Sequence, residues 1–294
     1  MFKELVFLAM AVTPFNFFAS IQQIHTIQEA EVYFHLGDAR TLGVFDIDET
    51  LLVPKDPACQ KPNLRKHALI IQKIKGQLPL EYQDLISNLI LFATHSQLIE
   101  PKSSLLIQNL QKKGIRLIAL TAAMTRKFED GYLPEARYME LKDNGIDFSL
   151  AFPELEYACL TDLKACAKGH PTFYRGILCS NGDHQRQKDA TAKGEALCEF
   201  LKRTSWMPTR IIFIDDKLYN LEEMERTLKK FDEDIVYQGL HYVGAQSLIS
   251  PDIDPQVIER KWIEVLEKAK MILEEYQFLE DQTGEIGKLC DIKK

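Results

Sequence analysis

The chain has 294 residues, 46% hydrophobic and 27% charged, the balance of an ordinary folded protein with one large domain or two smaller ones. A net charge of −7 argues against nucleic acid as a generic partner, because backbone binding needs clustered Lys and Arg; it leaves room for a small phosphorylated substrate at a locally neutralised site. The six cysteines (Cys59, Cys159, Cys166, Cys179, Cys198 and Cys290) form no Cys-x-x-Cys pair, which argues against zinc, and their even number suits disulfides if the chain is exported.

Residues 1–20 read as a secretory signal peptide. Lys3 precedes an apolar run over residues 5–12, and the small pair Ala19-Ser20 follows. Glu4 and the bulky Phe17 and Phe18 depart from that pattern, and a buried N-terminal helix is the plain alternative. The apolar run is too short to span a membrane. The expectation is an exported protein, periplasmic or secreted, with no membrane span in the mature chain. Residues 21–36 mix polar and apolar side chains with helical character.

Thr41–Phe45 reads as the first buried strand, and Asp46-Ile47-Asp48-Glu49-Thr50 follows directly. Two carboxylates spaced i, i+2 at a strand end can hold a hard cation, offer one carboxylate as a nucleophile and keep the other as an acid/base. Taken alone, Asp-x-Asp after a strand is as often a plain turn. Two short helices are expected at residues 67–75 and 81–92, divided by Gly76 and Pro79. A helix over residues 103–113 ends at Gly114 and leads into a strand at residues 116–120, closed by Thr121; this strand–helix–strand course favours a parallel sheet.

A helix is expected over residues 134–143, stopped by Asn144-Gly145, and a strand over residues 171–179. The loop Ser180-Asn181-Gly182-Asp183-His184 precedes a helix carrying Lys193 at its start. Residues 209–214 read as a further core strand ending in Asp215-Asp216, with Asn220 beyond, and residues 235–243 as another. From Pro255 the tail is helical. Ile258, Trp262, Val265, Ala269, Ile272, Tyr276 and Leu279 recur at spacings of four and three, which suits a coiled-coil seam or, more commonly, packing on the helix's own domain.

Each strand-like run ends in a polar group, and open parallel α/β sheets bind ligands at the carboxyl ends of their strands. Asp46, Asp48, Thr121, Lys193, Asp215 and Asp216 are therefore the candidate site. Arg126, Glu129, Asp183 and His184 are weaker candidates for its border. His67, His170, His184 and His241 show no metal-ligand spacing.

The ordered set resembles the haloacid dehalogenase (HAD) superfamily. Asp46, Asp48 and Thr50 match its Asp-x-Asp-x-Thr motif, Thr121 its strand-end hydroxyl, Lys193 (with Lys188 as competitor) its lysine, and Asp215-Asp216 its acidic pair. The resemblance spans Leu42 to about Asn220. It implies an α/β fold, a Rossmann-like three-layer parallel sheet with a small helical cap insertion. On that basis residues 21–250 form the core, with the cap at about 54–99 and a second insertion at about 122–188, and residues 251–294 form a C-terminal helical segment.

It also implies a Mg2+-dependent phosphatase acting through an aspartyl-phosphate. Asp46 is then the nucleophile and Asp48 the acid/base. Thr121 holds a phosphoryl oxygen, and Lys193 adds positive charge. The metal is held by Asp46, the Asp48 carbonyl and Asp215 or Asp216. A phosphotransferase, or an exported interaction protein with vestigial catalysis, are the alternatives.

Overall fold

Along the central strands, alternate side chains enter two different cores. The computed structural model describes residues 20–79, 83, 94–125, 127–128, 131–166, 169–185, 187–248 and 250–283. Its main sheet runs in the order β1 (Ile21–Ile24), β12 (Val236–Tyr242), β11 (Arg210–Asp215), β2 (Thr41–Phe45), β5 (Arg116–Thr121), β10 (Ile177–Cys179), β9 (Thr172–Tyr174), β8 (Tyr157–Cys159). The pairings from β1 to β10 are parallel; β9 and β8 continue the sheet antiparallel.

Phe45, Leu117, Ala119, Ile212 and Ile214 face one core, with helices Ser103–Lys112 and Leu133–Asp143 packed over them. Leu42, Val44, Ile118, Leu120, Ile211 and Phe213 face the other, under helices Lys193–Thr204 and Leu218–Phe231. Strands buried on both faces must be apolar throughout, which is why these runs read as continuous hydrophobic stretches. The result is the expected α/β, Rossmann-like three-layer arrangement. Gly43 is the exception in β2: a Cβ there would lie 2.5 Å from Leu117 Cδ2 and 2.9 Å from Phe34 Cε1, so the Phe34 ring occupies the space a side chain would take.

Two expectations are corrected. The segment over residues 21–36 is not helical throughout: Ile21–Ile24 is the edge strand β1, and helical backbone begins at Ile27. The segment 171–179 is not one strand but the hairpin β9–β10. Its turn places Arg175 at φ 45° and Gly176 at φ 85°. A Cβ on Gly176 would sit 2.1 Å from the Phe148 carbonyl oxygen, so this turn requires glycine. Of the two readings of the C-terminal helix Pro255–Thr283, the commoner holds along its first half: its seam packs on its own chain. Ile258, Trp262, Val265, Leu266 and Ala269 are buried with Ile71 and Ile74 of the insertion, forming a third core with Ala58, Met124 and Leu133.

The insertion leaves through β3 (Leu52–Pro54) and returns through β4 (Ser96–Leu98), an antiparallel pair at its base. It carries helices Lys61–Lys66 and Ala68–Lys75. Trp262 Nε1 donates to the Ala58 carbonyl at 3.2 Å, tying the C-terminal helix to the insertion. Cys59, Cys179 and Cys198 are free and buried, acting as small apolar residues. No described helix is long and apolar enough to cross a membrane. The leader expected at residues 1–20 (apart from Ser20), the helix expected at 81–92 (apart from Gln83), Arg126, Glu129, Cys290 and the side chains of Ile272, Tyr276 and Leu279 lie outside the described residues.

Trp262 is 2% exposed. Trp262→Ala is expected to destabilise the protein by about 3–5 kcal/mol, the usual cost of emptying a large aromatic site. Urea unfolding checks this. Unchanged stability accompanied by a change in oligomeric state would instead show that the helix works as an intermolecular seam.

Candidate active site

Adjacent strands β11, β2 and β5 end side by side, and their last residues form the floor of the site. Asp46 follows β2 directly, its N–H donating to the Ile214 carbonyl at 2.9 Å, so that it continues the ladder beside Asp215. Thr121, fully buried, closes β5 on the other flank. The loop after Asp46 folds back tightly. The Leu51 and Leu52 amides both donate to the Ile47 carbonyl, and Glu49 takes φ 62°, a left-handed conformation rare outside glycine. Thr50 Oγ1 lies 3.3 Å from Asp46 Oδ2.

The Lys193 ammonium sits between the two strand ends, donating to Asp46 Oδ1 at 2.6 Å and Asp215 Oδ2 at 2.7 Å. All three side chains are buried. Burial opposes the charge on Lys193, but the Asp215 and Asp46 carboxylates outweigh it and hold the ammonium above the ordinary lysine range. Burial also raises the Asp46 carboxyl. Lys193 works against this, Asp215, Asp216 and Asp48 reinforce it, and the group is pushed up to about 7. The competitor Lys188 does not enter the site. It lines a separate cavity of about 580 Å3, with Lys164, Asp189 and Lys202, whose walls include neither Lys193 nor Asp46, Asp48, Asp215 or Asp216.

The acidic pair divides its work. Asp215 is committed on both oxygens: Asn220 Nδ2 donates to each at 3.0 Å, and the Lys217 N–H to Oδ1 at 2.8 Å. Asp216 pairs through Oδ2 with Lys61 of the insertion at 2.8 Å, while its Oδ1 is buried without a hydrogen-bond partner. Lys61 also lies 3.7 Å from Glu49. Carboxylate oxygens of Asp46, Asp215 and Asp216 lie within 4.8 Å of one another. This all-oxygen donor set is of the kind that fits a hard divalent cation.

Asp48 turns away from this cluster. Arg137 Nη2 donates to its Oδ1 at 2.8 Å and its Oδ2 at 2.7 Å, and Thr121 Oγ1 lies 3.5 Å from Oδ2, too long for a strong bond. Arg137 was missing from the sequence-derived site. It sits mid-helix in Leu133–Asp143, in a stretch with no motif spacing, so nothing local marks it. Asp183 accepts from Tyr219 Oη at 3.0 Å and faces Lys217 Nζ at 3.5 Å; His184 stacks edge-on against Tyr219.

The raised Asp46 has a sign that can be checked. Its folded-state value lies above that of the unfolded chain, so the metal-free fold binds an extra proton between about pH 4 and 7, and that part of its stability is lost as pH rises through about 7. A bound cation favours the ionised carboxylate and reverses this loss. With Mg2+ at about 100 times its Kd, the gain is about 2.7 kcal/mol. Thermal melts with EDTA or Mg2+ are therefore expected to diverge on going from pH 5 to pH 7.5, and a Mg2+ shift equal at both would count against the arrangement.

The family model "Protein of unknown function (DUF2608)" matches residues 20–276. No haloacid dehalogenase family matches, so the membership suggested by the motif resemblance is corrected. Uncharacterised proteins of Rickettsia are similar. One from Rickettsia felis is 30% identical over 141 residues, covering 46% of this chain and 44% of the relative. One from Rickettsia bellii is 26% identical over 216 residues, covering 70% and 69%. One from Rickettsia conorii is 28% identical over 152 residues, covering 50% and 48%. The aligned stretch thus spans under half the length of the Rickettsia felis and Rickettsia conorii proteins. No solved structure matches. With a family match over residues 20–276 that takes in every residue of the site, the chain belongs to the DUF2608 family.

Proposed function

We propose that the protein is a Mg2+-dependent phosphomonoester hydrolase working through an aspartyl-phosphate on Asp46. The observation that carries this reading is the buried Asp46 carboxylate, fixed by Lys193 at 2.6 Å within a cluster that also holds Asp215 and Asp216. A carboxylate held this way has one oxygen oriented by an ammonium and the other by the Thr50 hydroxyl, the requirement for a nucleophile that must not rotate.

Asp46 and Asp216 supply oxygens for the cation, with Asp215 as the buried carboxylate that anchors Lys193. When bound, Mg2+ offsets the repulsion between an anionic carboxylate and an anionic phosphoryl group. An Asp46 carboxylate oxygen attacks phosphorus, and the bond from phosphorus to the leaving oxygen breaks. The leaving oxygen takes a proton from Asp48 when it is too basic to depart as an anion. Water then attacks phosphorus, Asp48 takes its proton, and inorganic phosphate departs as the Asp46 carboxylate is regenerated. Lys193 holds positive charge beside the reacting oxygens throughout, while Thr121 offers its hydroxyl at the adjacent strand end.

Wild-type protein is expected to release nitrophenol from p-nitrophenyl phosphate with Mg2+ and to stop in EDTA. Asp46→Asn, which keeps the shape of the side chain, is expected to lower turnover about 10^3-fold or more, the scale of losing a nucleophile. Steady turnover by folded Asp46→Asn, with mass spectrometry excluding deamidation, would overturn the mechanism. Turnover indifferent to chelation would remove the metal from it.

A further inference from the structure

Arg137 is placed where neither packing nor the cation cluster accounts for it. Its side chain is only 6% exposed, yet one of its two carboxylate partners, Asp48, has a side chain 56% exposed. The other partner is Glu140 on the same helix, whose Oε2 accepts from Nη1 at 2.8 Å. Glu140 in turn accepts from the hydroxyl of Ser96 in β4. Nε is buried and makes no hydrogen bond. Keeping a guanidinium out of water costs several kcal/mol unless its partners are well placed, so a purely structural arginine gains little by reaching toward a half-open carboxylate.

We propose that Arg137 is the positioning residue of Asp48; the inference rests on the aspartyl-phosphate reading. Asp48 stands on a short loop whose next residue takes a left-handed conformation, and a loop holds a side chain less firmly than a helix does. Arg137, anchored on helix Leu133–Asp143 and braced by Glu140, supplies the missing constraint. Its Nη2 grips both carboxylate oxygens from the protein side and leaves the exposed side of Asp48 toward solvent, where the hydrolytic water arrives. The role is therefore in the second half of the reaction, where the water must lose a proton as its oxygen bonds to phosphorus and the phosphorus–Asp46 bond breaks.

Rapid-mixing kinetics with p-nitrophenyl phosphate separates the two halves, because nitrophenolate leaves without being protonated. Arg137→Lys keeps the charge but not the planar fork. It is expected to keep a burst of one nitrophenol per site at the wild-type rate and to lose steady-state turnover about 10- to 100-fold, the scale of a reacting group misplaced by about 1 Å. Asp48→Asn is expected to show the same burst and slow phase, and the double variant no further loss. Arg137→Gln, if it folds by thermal melt, is expected to follow; if it does not, Arg137→Lys carries the test alone.

The proposal is overturned if Arg137→Lys turns over at the wild-type rate, or if its burst and steady state fall together, as a structural defect requires. A wild type that forms no nitrophenol, or a burst that survives Asp46→Asn, overturns the aspartyl-phosphate reading and this one with it. That result is distinct from an unchanged Arg137→Lys in a competent enzyme.

Discussion

The Lys193 ammonium, buried between the ends of two neighbouring strands, is the interaction on which the site depends. β2 and β11 run parallel and adjacent, so Asp46 and Asp215 are brought together by the sheet itself. Two carboxylates at that distance and depth repel each other and resist burial. Lys193 resolves this only if its helix docks with the first residue over the sheet end. A lysine at a helix start opposes the helix dipole. Glu223, from the neighbouring helix, compensates: it accepts from the Gly194 amide at 3.0 Å. Gly194 makes that approach possible, since a Cβ there would stand 2.9 Å from Glu223 Oε1. Removing one member of such a buried set leaves an unpaired charge and costs about 3–5 kcal/mol, so the order of the strand ends and the helix start are mutually enforced.

The same cluster is left short of positive charge. Asp46, Asp215 and Asp216 share the space with Lys193, and Lys61 is the further cation paired with Asp216. Lys217 stands nearby but faces Asp183; burial opposes its charge, and Asp46 is the chief influence holding it above the ordinary lysine range. Asp46 holds its proton more strongly than a free carboxylate, first because it is buried and then because Asp215, Asp216 and Asp48 add to the effect against Lys193. An excess of negative charge attracts a cation and repels a phosphoryl group. A phosphatase built on this cluster therefore needs the cation before the substrate.

Much of the fold was legible in the sequence because the core strands are buried on both faces and so read as unbroken apolar runs bounded by polar ends. The site was legible for the same reason: strand ends announce themselves. What failed to read is equally physical. β1, Ile-Gln-Gln-Ile, is four residues at a sheet edge, too short for a period of two to separate from a helical mixture. The β9–β10 turn uses Arg175-Gly176, and an arginine at positive φ gives no turn signal. Arg137 is recognisable only in three dimensions, because Asp48 is 89 residues away. The choice between a coiled-coil seam and self-packing for the C-terminal helix turned on the insertion, whose partner residues Ile71 and Ile74 lie far upstream. The family was misread because short motifs record which groups meet at strand ends, whereas family membership is carried by the sequence as a whole; chemistry can agree where descent does not.

The third core gives the site a property that the sheet alone does not supply. The insertion and C-terminal helix pack on each other through Trp262, Val265, Ile71 and Ile74, so the insertion is a braced body and not a loose loop. It meets the strand ends by two polar routes. Lys61, in its first described helix, spans Glu49 and Asp216. Ser96, in the returning strand β4, reaches Asp48 through Glu140 and Arg137. One route ends on the carboxylate with the unpartnered oxygen, the other on the carboxylate proposed to move protons. Any shift of the insertion relative to the sheet must therefore alter the surroundings of both at once. Coupling of this kind needs a rigid element and discrete polar contacts, and both are present here. In the mechanism proposed above, the insertion would therefore bear on the chemistry, because the groups that contact Asp48 and Asp216 are reached through it.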